Sequence, residues 1–354
     1  MCFRNFNKVK ASLSGCLFTL FLCLPFFAVA LSEALAVESE GERTGKLIEG
    51  AKKEGKLIWY TTVTLKESEE MLRKFQEKYS FIKPELYRSG DLRLLTKILA
   101  EVSAERYIFD VLSITGISAE ILKDKGLFMK YLSPHRKFYS ESINDPEGYW
   151  TDFYLNLNVM GYNTRMVAPN EVPKTYEDLL NPKWKKKLGM DTKAFYWFAN
   201  MFKSMGEEKA LDYMKKLSQQ DILFRTGRTL NAQMLAAGEV SICITLYNNR
   251  VEEMKAKGAP IEWFAIEPVV PEIHPIGVSS HAPHPHTAKL FVDFVLSKEG
   301  QNMIADFYRI PSRIDVSPRI PRLKEGLKIL PFDFSIRQDY ERYVALYQKI
   351  LMKR

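Results

Sequence analysis

Cysteine and histidine are scarce in this chain, and the scarcity excludes whole classes of function. Four cysteines occur in 354 residues, and Cys2, Cys16 and Cys23 fall within the first 36. The fourth, Cys243, lies between Ile242 and Ile244, which reads as a buried strand thiol. A single remaining cysteine builds neither a disulfide framework nor a cysteine-based zinc site. Catalytic fingerprints are missing as well: there is no G-x-S-x-G elbow, P-loop, G-x-G-x-x-G or H-E-x-x-H. Of five histidines, His281, His284 and His286 crowd one stretch, with His274 nearby. That density suggests a metal, but Pro283 and Pro285 hold the stretch extended and no carboxylate or cysteine lies inside it. It reads as a surface loop before a helix. Paired carboxylates such as Glu69-Glu70 and Glu252-Glu253 fall on polar helix faces. The residues thus point to no enzyme, no cofactor and no metal site.

What is present starts with export. Arg4, Lys8 and Lys10 precede an uncharged apolar run from Leu13 to Leu31, and small residues follow at Ala28-Val29-Ala30 and Ala34-Leu35-Ala36. Residues 1–36 therefore read as a cleavable signal peptide that places the chain in the periplasm or another extracytoplasmic space. An uncleaved anchor is the alternative, disfavoured by Pro25 and the two cleavage motifs. Without disulfides, the mature chain must rely on burial, and its length suits two lobes. The net charge of the full chain is +8, and loss of the leader lowers it by two. The lysines are scattered, as in Lys52-Lys53, Lys185-Lys186-Lys187 and Lys215-Lys216. No zinc-finger or RNP-like pattern accompanies them, so nucleic acid is not an expected partner. An anionic ligand is compatible with the charge.

Past residue 44 short apolar strands alternate with amphipathic helices. Leu57–Tyr60, Lys83–Tyr87 and Asp110–Leu112 read as strands, with helices from about Thr64, after Gly90, and at Ala119–Lys125. Thr64-Leu65-Lys66-Glu67 has the form of a capping box. This order predicts an α/β fold with a mainly parallel sheet flanked by helices. The middle of the chain repeats the pattern with strands at Leu188–Met190, Phe224–Thr226 and Val240–Ile244 and helices at Ala194–Met205, Glu207–Leu217 and Leu230–Ala237. Two extended stretches, near residues 150–162 and 261–272, are spaced as crossings between two lobes. A helix near Arg337–Lys353 carries Tyr340, Tyr343, Val344, Tyr347 and Leu351 on one side, a core-packing stripe.

In such sheets ligands collect where helix N-termini follow the carboxyl ends of strands, because free N–H groups and the positive dipole end favour anions. The strand-to-helix junctions supply Thr61, Thr62, Ser89, Gly90, Ser113, Thr115, Asp191 and Thr192 as candidate ligand-binding residues. Arg228 and Lys193 are the cations placed to offset a negative ligand, and Tyr247 with Asn248 and Asn249 offers an aromatic face and two amides. Each hydroxyl can alternatively cap its own helix.

Several stretches carry a family resemblance. Leu57–Thr62, Gly90–Glu101, Phe109-Asp110-Val111, Gly161–Thr164, Asp178-Leu179-Leu180-Asn181-Pro182-Lys183-Trp184-Lys185, Gly238-Glu239-Val240, Ala282–Lys289, Ser297-Lys298-Glu299-Gly300-Gln301 and Ile310–Arg313 resemble a bacterial extracellular solute-binding protein of an ABC importer, in the ferric-iron-type, two-lobed branch. The resemblance implies a periplasmic binding protein fold (type II). Its lobe 1 spans residues 37–150, lobe 2 spans 151–268, a return segment to lobe 1 spans 269–316, and a C-terminal helical segment spans 317–354. It also implies a monomer that closes on a small polar solute and delivers it to an inner-membrane ABC permease with its ATPase. Ferric-binding relatives use a histidine, an acidic residue and adjacent tyrosines. Leu65, Ile114 and Asn248-Asn249 stand at those positions here. The expectation is a polar, possible anionic, solute. A metal-ion binder, or an enzyme or sensor domain on the same fold, stays open as the alternative.

Overall fold

The computed structural model describes residues 40–352; the leader reading, residues 1–36, lies outside them. The first lobe opens with α1 (Glu40–Glu54), β1 (Lys56–Thr61), α2 (Leu65–Lys78), β2 (Lys83–Arg88), α3 (Asp91–Ser103), β3 (Val111–Ser113) and α4 (Gly116–Asp124). The long strand β4 (Thr151–Asn163) leads to β5 (Leu188–Asp191), α5 (Phe195–Met205), α6 (Glu207–Ser218) and β6 (Leu223–Arg225). Then come α7 (Arg228–Ala237), β7 (Ile242–Tyr247), α8 (Asn248–Ala256) and β8 (Ile261–Phe264). The chain returns through β9 (Val270–Val278) and continues with α9 (Pro285–Leu296), α10 (Lys298–Asp306), β10 (Ile310–Pro311) and α11 (Tyr340–Leu351).

The strands form one sheet in the order β2-β1-β3-β9-β4-β7-β5-β6, with β8 and β10 also pairing β4. Pairing is parallel at each end, β1 with β2 and β3, and β5 with β6 and β7. In the centre it is antiparallel: β3 with β9, and β4 with β9, β7, β8 and β10. The parallel ends are the two α/β units that the alternation predicts. The extended stretches of the sequence become β4, β8 and β9, and β4 and β9 are bonded to each other from Thr151↔Ile276 to Asn158↔Val270. These two strands carry the sheet from one unit into the other.

Burial fixes each end. In the first lobe Trp59 of β1, Phe75 of α2 and Phe291 of α9 meet ring to ring, with centroids about 5.0 Å apart. The helix α2 buries Met71, Leu72 and Phe75, whereas Leu65, at its first turn, is 54% exposed. In the second lobe Phe195 and Phe198 of α5 pack edge-on against Tyr347 of α11. Tyr343, Tyr347 and Leu351 are buried, so the aromatic stripe of the last helix is core, docked on α5 and α6. Cys243 is fully buried in β7, and burial pushes its thiol up to about 12, which leaves no reactive thiolate at neutral pH.

Three helices were not evident from periodicity: α1, α8 and α10. The moment of α8 is weak because Asn248, Asn249 and Glu252 are buried along with Val251, so the apolar spacing that marks a helix is absent. The histidine stretch is a helix-leading loop tied to carboxylates. The backbone N–H of His284 donates to Asp110, and its Nδ1 lies 2.9 Å from that carboxylate. His286 and Thr287 bind Glu54 in the same way.

Candidate functional site

A cavity of about 540 Å³ opens over the carboxyl ends of the strands, where the two halves of the sheet meet. Its lining includes Thr64, Gly90, Thr115, Gly227 and Tyr247, the N-cap residues of α2, α3, α4, α7 and α8. None of these five caps makes a side-chain capping bond. Five positive helix ends face one space, and in three of them a side chain other than the cap's own meets one end amide: Asp91 at Thr115, Asp191 at Gly227 and Asn248 at Asn249.

The capping box expected at Thr64–Glu67 does not form. The Thr64 hydroxyl makes no cap bond, and Glu67 instead takes two hydrogen bonds from the Arg309 guanidinium, at 2.7 and 3.1 Å. Both side chains are buried, and a charge-assisted pair in low dielectric outweighs a neutral cap.

The candidate residues divide into two groups. Thr62, Gly90, Thr115, Asp191, Arg228 and Tyr247 line the cavity. Thr61, Ser89, Ser113, Thr192 and Asn248 do not. Thr61 and Ser113 bond each other at 2.6 Å beneath the floor, and Ser113 also accepts from the Trp59 indole. Ser89 is buried, its N–H donating to the Thr61 carbonyl. Thr192 pairs with Thr226, which does line the cavity. Asn248 points the other way, its Nδ2 donating to the Leu323 carbonyl at 2.7 Å. Thr61 and Ser113 end β1 and β3 and spend their hydroxyls on each other, whereas Thr62 and Thr115, beyond the strand ends, reach the cavity.

Arg228 is not the free cation that its position suggests. Its Nη1 sits 2.8 Å from Asp191 Oδ2, a charge contact without hydrogen-bond alignment. Its Nη2 donates to Asn158 at 3.2 Å, and its guanidinium lies 5.1 Å from the Tyr247 ring centre. Asp191 also receives the N–H groups of Lys193 and Gly227. Gly227 reaches it at φ +98°, a conformation L side chains rarely adopt. The Tyr247 hydroxyl donates to Glu272 at 2.7 Å. Burial and the neighbouring Glu272 carboxylate raise this phenol well above its ordinary value.

Other lining residues carry no local motif. Arg88, Arg93 and Lys193 line the cavity and form no ion pair among the described residues. Asp91, at the start of α3, is held by the Thr115 and Ser118 hydroxyls at 2.6 and 2.7 Å, and burial raises its carboxyl. Burial raises Glu272 in the same way. The floor comes from the crossing strands. His274 of β9 stacks on Tyr154 of β4 at 4.2 Å, and Arg309 covers that ring at 4.1 Å. Burial, then the positive charge of Arg309, lowers His274 well below the usual histidine value, so it is neutral. Among the described residues, six buried polar atoms on the lining lack hydrogen-bond partners: Thr62 Oγ1, Asn156 Nδ2, Asn249 Oδ1, His274 Nδ1, and Nε and Nη1 of Arg228. Such orphans are costly unless something else meets them. Thr62 and Asn249 stand at junctions that the sequence marks, whereas Asn156 and His274, with Arg309, leave no signal there, because β4, β9 and the loop before β10 lie far apart along the chain.

A cavity between two α/β lobes joined by crossing strands is the architecture of a two-lobed periplasmic binding protein. Residues 110–335 match the family model described as bacterial extracellular solute-binding protein, and the chain belongs to that family. Its members bind small solutes and deliver them to ABC permeases; they are transport binding proteins, and this chain is a solute-binding receptor of that kind. An uncharacterized protein of Haemophilus influenzae is 27% identical over 320 residues, covering 84% of this chain and 83% of that one. Iron-bound HitA from Pseudomonas aeruginosa is similar in structure, with TM-score 0.75, 21% identity, and 83% and 99% of the two chains covered. AfuA from Actinobacillus pleuropneumoniae, with exogenous fructose-6-phosphate bound, gives TM-score 0.75 and 24% identity over 85% of this chain and 99% of its own. The structural likenesses bear on the fold. Among the described residues no helix is long and apolar enough to cross a membrane.

Proposed function

We propose that the protein captures a small organic anion between its lobes, without chemical turnover, for delivery to an inner-membrane ABC permease and its ATPase. The observation that carries this reading is the convergence on one cavity of five helix N-termini, none capped by the side chain of its own N-cap residue. The orphaned polar atoms of Thr62, Asn156, Asn249 and His274 at the same place supply the hydrogen bonds. Arg88, Arg93 and Lys193 set the sign of the solute, because Arg228, Arg250 and Arg309 on the same lining are paired with Asp191, Glu253 and Glu67. Thr62, Gly90, Thr115, Arg88, Arg93 and Lys193 are the proposed anion contacts. Asp191, Arg228 and Tyr247 hold the opposite wall in shape.

The donor set does not suit ferric iron as cargo. A hard cation needs anionic oxygens, but the Tyr247 phenol is raised and committed to Glu272, and Asn248 and Asn249 are neutral amides. Among the described residues no group of three or more His, Cys, Asp or Glu could hold a metal. The proposed lobes are residues 37–150 with 269–316 and residues 151–268, with 317–354 as the C-terminal segment. The proposed working form is a periplasmic monomer released from a cleaved leader.

Differential scanning fluorimetry with a panel of carboxylates, phosphate esters, neutral sugars, amines and ferric citrate tests the reading. Ligand a hundredfold above its dissociation constant stabilises the folded state by about 2.7 kcal/mol. Upward shifts confined to organic anions are expected. Shifts only with neutral or cationic solutes would overturn it.

A further inference from the structure

The cavity has a side pouch of about 50 Å³ that shares Asp91, Thr115, Lys193, Arg228 and Glu272 with it. Beyond that polar neck the pouch is walled by Phe195, Tyr196, Phe332 and Tyr340. The last two come from the C-terminal segment, which packs on α5 and α6 of the second lobe and also on α4 of the first, where Arg337 pairs with Asp124. Phe332 stacks on Tyr196 at 4.7 Å and 17°, and the Asp333 N–H donates to the Tyr196 hydroxyl at 3.0 Å. These contacts fix the rings independently of any ligand. Gly116, at the first turn of α4, also lines the pouch, and a Cβ there would come within 2.6 Å of the Phe332 ring. The absence of that side chain lets the Phe332 ring and the Ile273 side chain come close against α4, so the wall of the pouch is packed in place. The Tyr340 hydroxyl has no hydrogen-bond partner among the described residues, and its ring meets Phe195 edge-on.

A bare inorganic anion would leave this aromatic space unused. At about 10–15 Å³ of accessible space per small group, the pouch admits roughly three or four heavy atoms. We propose that the C-terminal segment completes a specificity pouch, and that the solute is an organic anion whose other end is a short, largely apolar group of about that size. The inference rests on the anion reading given above. The acidic end would lie at the helix N-termini, and the apolar end would pass the neck between Asp91 and Glu272 to meet Phe332 and Tyr340.

The test is isothermal titration of the purified protein with inorganic phosphate and a series of alkylphosphonates from methyl to hexyl. Each methylene buried is worth about a fourfold gain in affinity. Affinity is expected to rise through propyl or butyl and then fall, with phosphate weakest. Phe332→Ala, which enlarges the pouch, is expected to move the optimum to a longer chain. Circular dichroism would check that this variant folds, and the series on the unaltered protein stands whether or not it does. A flat series in which phosphate and every phosphonate bind equally would overturn the pouch and leave the anion reading intact. Failure of every anion in the series, with binding of neutral solutes, would overturn both.

Discussion

The two walls of the cavity are built from the same parts and are charged differently. The second-lobe wall pairs Arg228 with Asp191, ties the Tyr247 hydroxyl to Glu272 of β9, and keeps one cation, Lys193, without an acidic partner among the described residues. The first-lobe wall satisfies Asp91 with hydroxyls, through Thr115 and Ser118, and leaves Arg88 and Arg93 without acidic partners. Paired charges hold geometry and add little field, because their potentials cancel beyond the pair; unpaired ones attract a ligand. The contrast assigns shape mainly to the second wall and most of the charge recognition to the first, with Lys193 facing it from across the cavity.

The most damaging way to break this contrast is to remove Asp191, which receives Arg228 and two backbone N–H groups. Asp191→Ala leaves a poorly exposed guanidinium uncompensated, and urea unfolding is expected to show a loss of about 3–5 kcal/mol. A loss below about 1 kcal/mol would show that the pair does not shape the wall. A smaller effect concerns the strands between the walls. Asp152 is fully buried under the His274 N–H and the Ser312 hydroxyl, and burial raises its carboxyl to about 8. The folded state therefore holds a proton that the unfolded chain releases at ordinary carboxylate pH. Stability should decline as pH rises from that ordinary value to about 8 and level off above it. Asp152→Asn should flatten this part of the profile, as measured by chemical denaturation across pH.

Replacing Arg88 and Arg93 together with glutamine should leave stability within about 0.5 kcal/mol and weaken binding of an organic anion at least about tenfold. Calorimetry at two salt concentrations would read it, and an unchanged affinity would move charge recognition to the second wall. The smallest effect is Thr62→Val, which removes one orphaned hydroxyl. A loss of about threefold to tenfold in affinity, with the melting temperature of the free protein unchanged or raised, is expected.

Legibility from sequence tracked locality. The strand-to-helix junctions at Thr62, Gly90, Thr115 and Asp191 were readable because helix start and strand end are neighbours in the chain. The strand-end residues Thr61 and Ser113 could not be told from them, since their hydroxyls are spent on each other across 52 positions of sequence. Asp91 lies one residue from Gly90, yet its role needs Thr115 and Ser118 from another helix. His274 was obscured by the nearby histidine loop, and Glu67 by a capping pattern that a distant arginine overrode.

Alternation of short apolar strands with amphipathic helices, and a chain long enough to bury two cores without disulfides, determined the α/β architecture, because those signals are periodic and local. Which cations are free, which hydroxyls are orphaned and where the C-terminal aromatics lie were decided by tertiary structure alone. Charge pairing and burial depend on what the fold brings within a few ångströms, and residues such as Glu67 and Arg309 meet across 242 positions of sequence.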